Sequence, residues 1–455
     1  MKRIHYIVLL FLSIISIYYV HRYLPFFHTL TAQDYCIQAD RYKEQNQFTQ
    51  AIIAYKSALK LSPHDFLISM KLGDTLCLAQ RYDEALAICQ ETVKHYPQQQ
   101  FAIGYNMAMT YEKMGNLQEA IYILKQITQH RPNWASPHLN LAFDLLKLGD
   151  LKNGLREYEW RWQATNIQKL ATTKPEWDGS DVRGKTVLIY AEQGFGDTLH
   201  FIRYAQILKN MGARVLVFPQ TALIPLLKLC PYIDHVLESA TTLPPFDYHI
   251  ATMSLPYACR TELETIPANI PYLYADASLV NQWNKTLAQD KNFKIGICWH
   301  GNPRYTDLSH QQTVKAKSIP LQLFEPLSKI PQVSLYSLQQ IGGQDELHHI
   351  NFKVHTFDND FDTVHGRFMD TAAVIQNLDL IITIDTSISH LAAGLGKPVW
   401  ILLPNPHDWR WFLNRTDSPW YPNVQLFRQP TRGDWNNVIQ TVAQQLRKQL
   451  TEKSV

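Results

Sequence analysis

The sequence lacks the concentrated positive charge of a nucleic-acid-binding protein. Its 455 residues include 43 Lys and Arg against 40 Asp and Glu, which leaves a net charge of +3. No long run of Lys and Arg occurs, and binding to nucleic acid needs a concentrated basic surface. We therefore expect no nucleic-acid partner.

Cysteine is scarce as well, with six residues scattered along the chain. None of them stands in a Cys-x-x-Cys pair or at a spacing from histidine that is typical of a metal site. This pattern indicates buried thiols, compatible with a reducing compartment. The composition, 46% hydrophobic and 18% charged, is that of a folded protein, and the length indicates several domains.

One long apolar run is present, at the N-terminus. After Lys2 and Arg3, residues 4–20 are almost wholly apolar, and tyrosines lie near both ends of the run. The segment resembles a short membrane anchor, which we assign to residues 1–30. A cleaved signal peptide is the weaker interpretation, because no small-residue cleavage pattern follows. A buried core helix stays open as an alternative, since the run is near the lower length limit for spanning a bilayer.

A repeat occupies the first third of the chain. Three alanines recur at offsets of 34 and 35 residues, and a proline follows each alanine after 12 residues: Ala51, Ala85 and Ala120, with Pro63, Pro97 and Pro132. A small residue lets two antiparallel helices approach closely, and proline ends the second helix. The pattern resembles the tetratricopeptide repeat, and a fourth, atypical unit has Gly154 where the others have alanine.

These repeats predict an α-solenoid of about four units over residues 31–166. Such a solenoid offers a concave surface for a peptide or protein partner. A purely structural role, packing against the next domain, is the alternative.

From Pro175 onward, short β-branched runs alternate with helical patterns. This alternation predicts parallel sheets with crossover helices. After a linker at residues 167–184 we expect two Rossmann-like domains, residues 185–288 and 289–455, with a cleft between them. The predicted helices include DTLHFIRYAQILKNMG, TALIPLLKLC and LQLFEPLSKI, and the predicted strands include FKVHTF. The fold class is therefore α + α/β, with ligands expected at the carboxyl ends of the strands.

The loop after the first predicted strand reads GFGDTLH. It has Gly194 and Gly196 but lacks the third glycine of the dinucleotide fingerprint. Asp197 is either the N-cap of the following helix or a carboxylate placed to accept a proton from a bound hydroxyl. His200 shares a helix face with Asp197 and either supports a substrate or packs in the core.

A second loop follows LIITI and opens a helix with Asp385, Thr386 and Ser387, and His390 lies one turn further on. The positive end of a helix favours a phosphate. An ordinary capped helix that packs tightly on the sheet is the alternative.

Two more segments are rich in functional residue types. WHGNPRYTDLSHQQTVKAKSIPL, which we expect to be a long polar loop, contains Asn302, Arg304 and Lys317. Its cations would either balance a diphosphate or lie on a solvated surface. The aromatic rings of DWRWFLNRTDSPWYP would either line a site for a base or a sugar, or cover the edge of the core.

Taken in this order, the motifs EQGFGD, ICWHGNP, KSIPL, IDTSISHLAAGLGKPVW and DWRWFLNRTDSPWYP resemble the heptosyltransferase-type glycosyltransferases of family 9. The closer resemblance is to their branch with tetratricopeptide repeats ahead of the catalytic part. It implies the two-domain glycosyltransferase B fold. It also implies transfer of a sugar from a nucleotide-diphosphate donor, with inversion at the anomeric carbon and without a metal or another cofactor.

The same resemblance assigns roles to residues. Asp197 would be the general base, and Lys317 would neutralise the leaving diphosphate. The donor side would comprise Asp385, Thr386, Ser387, His390, Asn302 and Arg304, and the acceptor side Gly194, Gly196 and His200. Ser387 stands where many members of the family have glycine, so a heptose donor is not implied. Asp358 and Asp360 mimic a metal-binding Asp-x-Asp, but Asp-rich turns are common in loops.

The resulting hypothesis is a glycosyltransferase anchored to the inner membrane through residues 4–20. Its catalytic part would lie in the cytoplasm, where nucleotide sugars are expected, although basic residues on both sides of the anchor leave the orientation open. The acceptor would be a cell-surface glycan or lipopolysaccharide. The alternatives are a protein O-glycosyltransferase and a non-catalytic scaffold that binds partners through its repeats.

Overall fold

The computed structural model describes residues 30–239, 243–304 and 308–453. Within these ranges, no helix has both the length and the apolar character that crossing a bilayer requires. The predicted anchor at residues 4–20 lies outside them. The chain forms two compact units that divide between Asn133 and Trp134.

The first unit consists of helices in antiparallel pairs. They are α1 (Ala32–Glu44), α2 (Phe48–Leu61), α3 (Phe66–Leu78), α4 (Tyr82–His95), α5 (Gln100–Met114) and α6 (Leu117–His130). The first begins with a capping box, in which Thr31 accepts a hydrogen bond from the Asp34 amide and the Asp34 carboxylate accepts one from the Thr31 amide. The second helix of each pair ends two residues before a repeat proline, which cannot continue a helix. The three repeat alanines are fully buried, as close helix packing requires.

The second unit opens with a further helical group: α7 (Ala135–Lys147), α8 (Leu151–Tyr158) and α9 (Arg161–Ala164). At Gly154, a Cβ atom would lie 2.7 Å from Leu146 Cγ and 3.0 Å from the Leu146 backbone nitrogen. Real Cβ contacts are longer than this. The departure from alanine in the fourth unit therefore has a steric cause, because α7 and α8 approach more closely than an alanine allows.

Two sheets follow; the first is parallel throughout, as predicted, and the second is parallel except at one edge. The strands are β1 (Thr186–Tyr190), β2 (Arg214–Phe218), β3 (His235–Val236), β4 (Tyr248–Ala251), β5 (Phe293–Cys298), β6 (Val333–Ser337), β7 (Leu380–Ile384), β8 (Val399–Leu403), β9 (Asp417–Ser418) and β10 (Tyr421–Arg428). The first sheet has the order β3-β2-β1-β4, and the second has the order β6-β5-β7-β8-β10-β9. Only β9 pairs antiparallel among these described strands.

Helices connect and cover the strands. They are α10 (Phe195–Phe201), α11 (Tyr204–Asn210), α12 (Ile224–Leu227), α13 (Leu255–Ala258), α14 (Ala277–Leu287), α15 (Leu308–Lys317), α16 (Glu325–Ser328), α17 (Met369–Asn377), α18 (Ser387–Gly394) and α19 (Trp435–Lys453). The core that includes the first sheet also contains residues of α7, α8 and the β7–β8 region. A separate core lies between the second sheet and α19.

Several predicted elements were wrong in detail. The predicted strand FKVHTF makes only an isolated bridge, between His355 and Tyr336. The segments TALIPLLKLC and LQLFEPLSKI are helical only in their first part, where a short 3-10 helix leads directly into a single α-turn, α12 or α16, with proline in its first turn. Residues 299–321, predicted as a loop, contain α15. The described side chains of α15 include only one buried residue, Val314. A helix that buries so little has no apolar periodicity in its sequence, so the pattern did not predict it. The predicted helix after β1 divides into α10 and α11.

A buried polar network joins the regions around the two sheets. His200 on α10 and His390 on α18 have their Nδ1 atoms 3.2 Å apart, and the Tyr421 hydroxyl lies 2.9 Å from Nδ1 of His390. Arg203 donates to the Tyr272 hydroxyl and to the carbonyl oxygen of His200. The rings of Tyr272 and Tyr421 flank its guanidinium at 4.4 and 4.3 Å. The network is nearly inaccessible to solvent, so its groups depend on one another for hydrogen bonds.

Both histidines of this network are held neutral. Burial lowers the pKa of His200 and of His390 well below the usual value, and the nearby guanidinium groups of Arg203 and Arg410 lower it further. A charged imidazole would therefore destabilise the contact between the two regions.

We expect Gly154→Ala to destabilise the α7–α8 pair. Overpacking of a tight contact costs about 1–3 kcal/mol, and the better helix propensity of alanine offsets only about 1 kcal/mol. Amide hydrogen exchange in residues 135–158 would then be faster than in the parent chain.

Gly73→Ala is the matched control for this change. Its added Cβ would meet Cys89 Sγ at an ordinary 3.7 Å, so exchange in residues 66–78 should stay the same or become slower. Unchanged exchange in residues 135–158 of Gly154→Ala would contradict the steric argument.

We also expect the free energy of unfolding to fall as the pH is lowered below about 6.5. In that range the unfolded chain protonates His200 and His390, whereas the folded chain, with its lowered pKa values, does not. The loss is up to about 1.4 kcal/mol per pH unit for each histidine. Urea unfolding at pH 7.5, 6.5 and 5.5 measures this slope. His200→Gln should show a smaller slope than the parent chain, and an equal slope would refute the assignment.

Candidate active site

A cavity of about 270 Å³ lies where strands of both sheets end. The loops after β1, β5, β7 and β8 all contribute to its walls, in agreement with the rule for parallel sheets. Nine of the eleven residues selected from the sequence line it: Gly194, Gly196, Asp197, Asn302, Lys317, Asp385, Thr386, Ser387 and His390. Residues from positions almost 200 apart in the sequence therefore share one cavity.

Asp197 lies in the first turn of α10. Its Oδ2 accepts a hydrogen bond of 2.8 Å from the Gly194 amide, and its Oδ1 accepts one of 2.5 Å from Nη2 of Arg410. The side chain is 23% exposed and lines the cavity. The N-cap interpretation was wrong in position, because Gly194 is the N-cap and Asp197 is the third residue of α10, whose carboxylate accepts from the Gly194 amide. The same carboxylate lines the cavity, and its proposed role as a base stays a prediction.

Arg410 is the main residue that the sequence did not reveal. Its Nη1 donates to Asp408 at 2.9 Å while its Nη2 donates to Asp197, so the guanidinium joins two carboxylates. The side chain is largely buried, and the two carboxylates raise its pKa against the opposing effect of burial. The only local sign of this role is the Asp-Trp-Arg triplet at 408–410, since Asp197 is 213 residues away.

The aromatic rings of the same segment do not line the cavity. Trp409, Trp411 and Trp420 are buried in the core that includes the first sheet. Of the two roles considered for this segment, covering the core is therefore the one observed.

The opposite wall is formed by the start of α18. This helix begins at Ser387, with Thr386 as its N-cap, so the first backbone amides have no partner within the helix and the positive end of the helix dipole faces the cavity. Burial raises the pKa of the Asp385 carboxyl, and the neighbouring Asp408 adds to this, whereas Lys317 and Arg410 oppose it. Nε2 of His390 lies 3.9 Å from the Asp385 carboxylate.

Two cations complete the cavity. Lys317, at the end of α15, and Arg367, which lies over the rings of Phe195 and Phe368, both line it. Among the described residues, neither has a carboxylate within ion-pair distance. Arg367 was not selected from the sequence, where nothing distinguishes it from a surface arginine. An anionic ligand would provide the partner that both cations lack.

Glycine permits two close approaches here. A Cβ on Gly196 would lie 3.2 Å from the His390 ring, and a Cβ on Gly301 would lie 3.1 Å from Cε of Lys317. The first lets α10 contact the start of α18, and the second lets the lysine side chain cross the β5 loop.

Two selected residues lie elsewhere. His200 was predicted on the acceptor side, but it is fully buried and its ring packs against His390, Trp420 and Tyr421. It can therefore support the site but cannot touch a ligand. Arg304 is exposed and does not line the cavity; its amide donates to the Asn302 side chain.

Comparisons with known proteins match separate parts of the chain to two kinds of domain. Residues 38–99 and 103–133 match tetratricopeptide repeat families, and residues 269–433 match glycosyltransferase family 9 (heptosyltransferase). Protein FlbA of Caulobacter vibrioides is 24% identical over 432 residues, which cover 89% of this chain and 71% of FlbA.

Two solved structures are also similar. The glycosyl transferase family 9 protein from Veillonella parvula is 10% identical, with a TM-score of 0.43, and the match covers 59% of this chain and 97% of that protein. MamA from Desulfovibrio magneticus is 19% identical, with a TM-score of 0.26, and the match covers 28% of this chain and 72% of that protein. Residues 269–433 belong to glycosyltransferase family 9, and the chain is a glycosyltransferase with tetratricopeptide repeats ahead of this domain.

Proposed function

We propose that the chain transfers a sugar from a nucleotide-diphosphate donor to an acceptor hydroxyl by a direct, inverting displacement that needs no metal. The observation that carries this proposal is that one cavity holds a carboxylate and two cations that have no ion-pair partner among the described residues. Asp197 lies on the side of the first sheet, whereas Lys317, Arg367 and a helix N-terminus lie on the side of the second, which also carries Asp362, Asp385 and Asp408. An inverting displacement needs a base for the nucleophile and positive charge for the leaving group.

In the proposed step, the acceptor oxygen forms a bond to the anomeric carbon while the bond from that carbon to the diphosphate oxygen breaks. Asp197 takes the hydroxyl proton. Lys317, Arg367 and the first amides of α18 stabilise the negative charge that develops on the diphosphate. Arg410 fixes the orientation of the Asp197 carboxylate through their hydrogen bond.

On the donor side we place Asp385, Thr386, Ser387 and His390 around the diphosphate and its sugar, with Asn302 on the adjoining loop. The pKa of His390 is lowered well below its usual value, so the ring would act as a neutral hydrogen-bonding group. The side chain of Ser387 occupies space that a glycine would leave open, which is why we do not restrict the sugar to a heptose.

The acceptor hydroxyl belongs, in this proposal, to a cell-surface glycan, with the repeats holding a peptide or protein partner. A protein acceptor held by the repeats is the alternative, and identification of the product as glycoprotein or as glycolipid distinguishes the two. We also propose that residues 4–20 anchor the chain to the inner membrane with the catalytic part in the cytoplasm. Reporter fusions at both ends test this orientation.

We expect Asp197→Asn to lower sugar transfer by about 10²- to 10⁴-fold, the usual contribution of a general base. Affinity for the nucleotide diphosphate should be unchanged, because the donor groups lie on the other wall. Release of nucleotide diphosphate from the sugar donor measures turnover, and calorimetry measures affinity.

Asp276→Asn is the control for the capping role of Asp197. Asp276 caps α14 through the amides of Ser278 and Leu279 and is not among the residues that line the cavity. If Asp197 served only as a helix cap, the two variants would retain similar turnover, and this result would remove Asp197 from the proposed chemistry.

Lys317→Ala should weaken the binding of one nucleotide diphosphate at least tenfold. A ligand at about 100 times its dissociation constant stabilises the folded chain by roughly 2.7 kcal/mol, so thermal shifts with ADP, GDP and UDP would identify the nucleotide and show the loss. Lys315→Ala is the matched control, because Lys315 lies on the same helix but lines a different cavity. Equal shifts for the two variants would contradict a role for Lys317 in binding the diphosphate.

A further inference from the structure

The fourth helical group contacts the loop that leads to Asp197. This loop, residues 191–194, connects β1 to α10. Arg161, in the short helix α9, has a side chain that is 1% exposed, and its Nη2 lies 3.1 Å from the Glu192 carboxylate. The Tyr158 hydroxyl, at the end of α8, accepts a hydrogen bond of 2.9 Å from the Gln193 side chain. Two consecutive loop residues are thus held by the last turns of the helical region.

Both terminal nitrogens of the Arg161 guanidinium have hydrogen-bond acceptors. Its Nη1 donates to Glu159 at 2.7 Å, and its Nη2 donates to the Ser254 hydroxyl at 2.7 Å as well as to Glu192. Ser254 in turn donates to Glu159. A buried guanidinium and a buried carboxylate are both costly to leave unpaired, so each fixes the position of the other.

Glu192 is as deeply buried as its partner. Its carboxylate also accepts a hydrogen bond of 3.2 Å from the Met253 amide. Burial raises the pKa of this carboxyl to about 7, and Arg161 opposes the increase. Burial likewise raises the pKa of the Tyr158 phenol to about 12, so this hydroxyl remains neutral and available for Gln193.

Further contacts of the loop come from Gln220, which follows β2, and from α10. The Gln220 side chain donates to the carbonyl oxygen of Gln193 and accepts from the Thr198 hydroxyl, and the Gly194 amide donates to Asp197. Arg161 and Tyr158 thus hold the side chains of residues 192 and 193, and the backbone of residues 192–194 connects these held residues to Asp197.

We propose that Tyr158 and Arg161 are positioning residues, through which the last helical repeat sets the place of the catalytic carboxylate. The proposal rests on the function proposed above for Asp197. The helical repeat acts as part of the active site rather than only as a binding module. Misplacement of a reacting group by about 1 Å can lower a rate about 100-fold. Loss of the contacts made by Tyr158 and Arg161 should therefore lower turnover and leave donor affinity unchanged.

Tyr158→Phe is the cleanest test, since it removes one hydroxyl and little else. We expect turnover to fall about three- to tenfold, with the dissociation constant of the nucleotide diphosphate unchanged within twofold. Tyr204→Phe is the control, because its hydroxyl is equally buried and lies 2.8 Å from the Thr261 hydroxyl, away from the loop. The control should lose similar stability but keep its turnover, and equal turnover in the two variants would overturn the proposal.

Arg161→Lys adds a conservative substitution. Lysine keeps the charge but cannot hold Glu159, Glu192 and Ser254 at once with a rigid fork, so turnover should fall more than in Tyr158→Phe. Full turnover in Arg161→Lys would show that charge alone suffices and would overturn the proposed geometry.

Amide hydrogen exchange separates this proposal from the proposed function. Peptides that cover residues 186–201 should exchange faster in Tyr158→Phe and Arg161→Lys than in Tyr204→Phe or the parent chain. A parent chain that neither binds a nucleotide diphosphate nor turns over a sugar donor would refute the proposed function, whereas faster exchange would still show that the repeat holds the loop. Unchanged exchange would refute the positioning role itself.

Discussion

The site depends on one buried guanidinium, that of Arg410, which is shared between Asp197 and Asp408. A largely buried positive charge must be compensated, and here the compensation comes from both sides of the cavity. Asp197 follows β1 of the first sheet, and Asp408 follows β8 of the second. The ion pairs therefore fix the distance between the two walls as well as the direction of each carboxylate. The close contact of Gly196 with His390 and the buried network around Arg203 stabilise the same arrangement of the two walls.

Much of this organisation follows from local sequence signals. β1, β5, β7 and β8 are short apolar runs bounded by polar loops, and parallel sheets place the carboxyl ends of such strands together. This rule predicted that Asp197, Asp385 and Ser387 lie at one edge, and all three line one cavity, whereas the role of Lys317 was implied by the family resemblance. The spacing of the repeat alanines and prolines likewise predicted the helical pairs.

The features that the sequence did not predict depend on long-range contacts. Arg410 is paired with a residue 213 positions away, and no local pattern reveals such a partner. α15 has a polar sequence without apolar periodicity, so no pattern predicted this helix. β10 directly follows a segment rich in aromatic residues, which made the start of the strand hard to recognise in the sequence. The sequence cannot distinguish a histidine that binds a ligand from one that packs in the core. The structure shows that His200 is fully buried against His390.

Sequence periodicity groups α7 and α8 with the repeats, but packing groups them with the sheets, since the compact units divide between Asn133 and Trp134. This division has a consequence for where the chain can be cut. The contacts of Tyr158 and Arg161 with the β1–α10 loop lie within the second unit. A boundary placed where the sequence repeat ends would therefore cut through the packing that holds this loop, whereas a boundary at Trp134 would keep that packing whole.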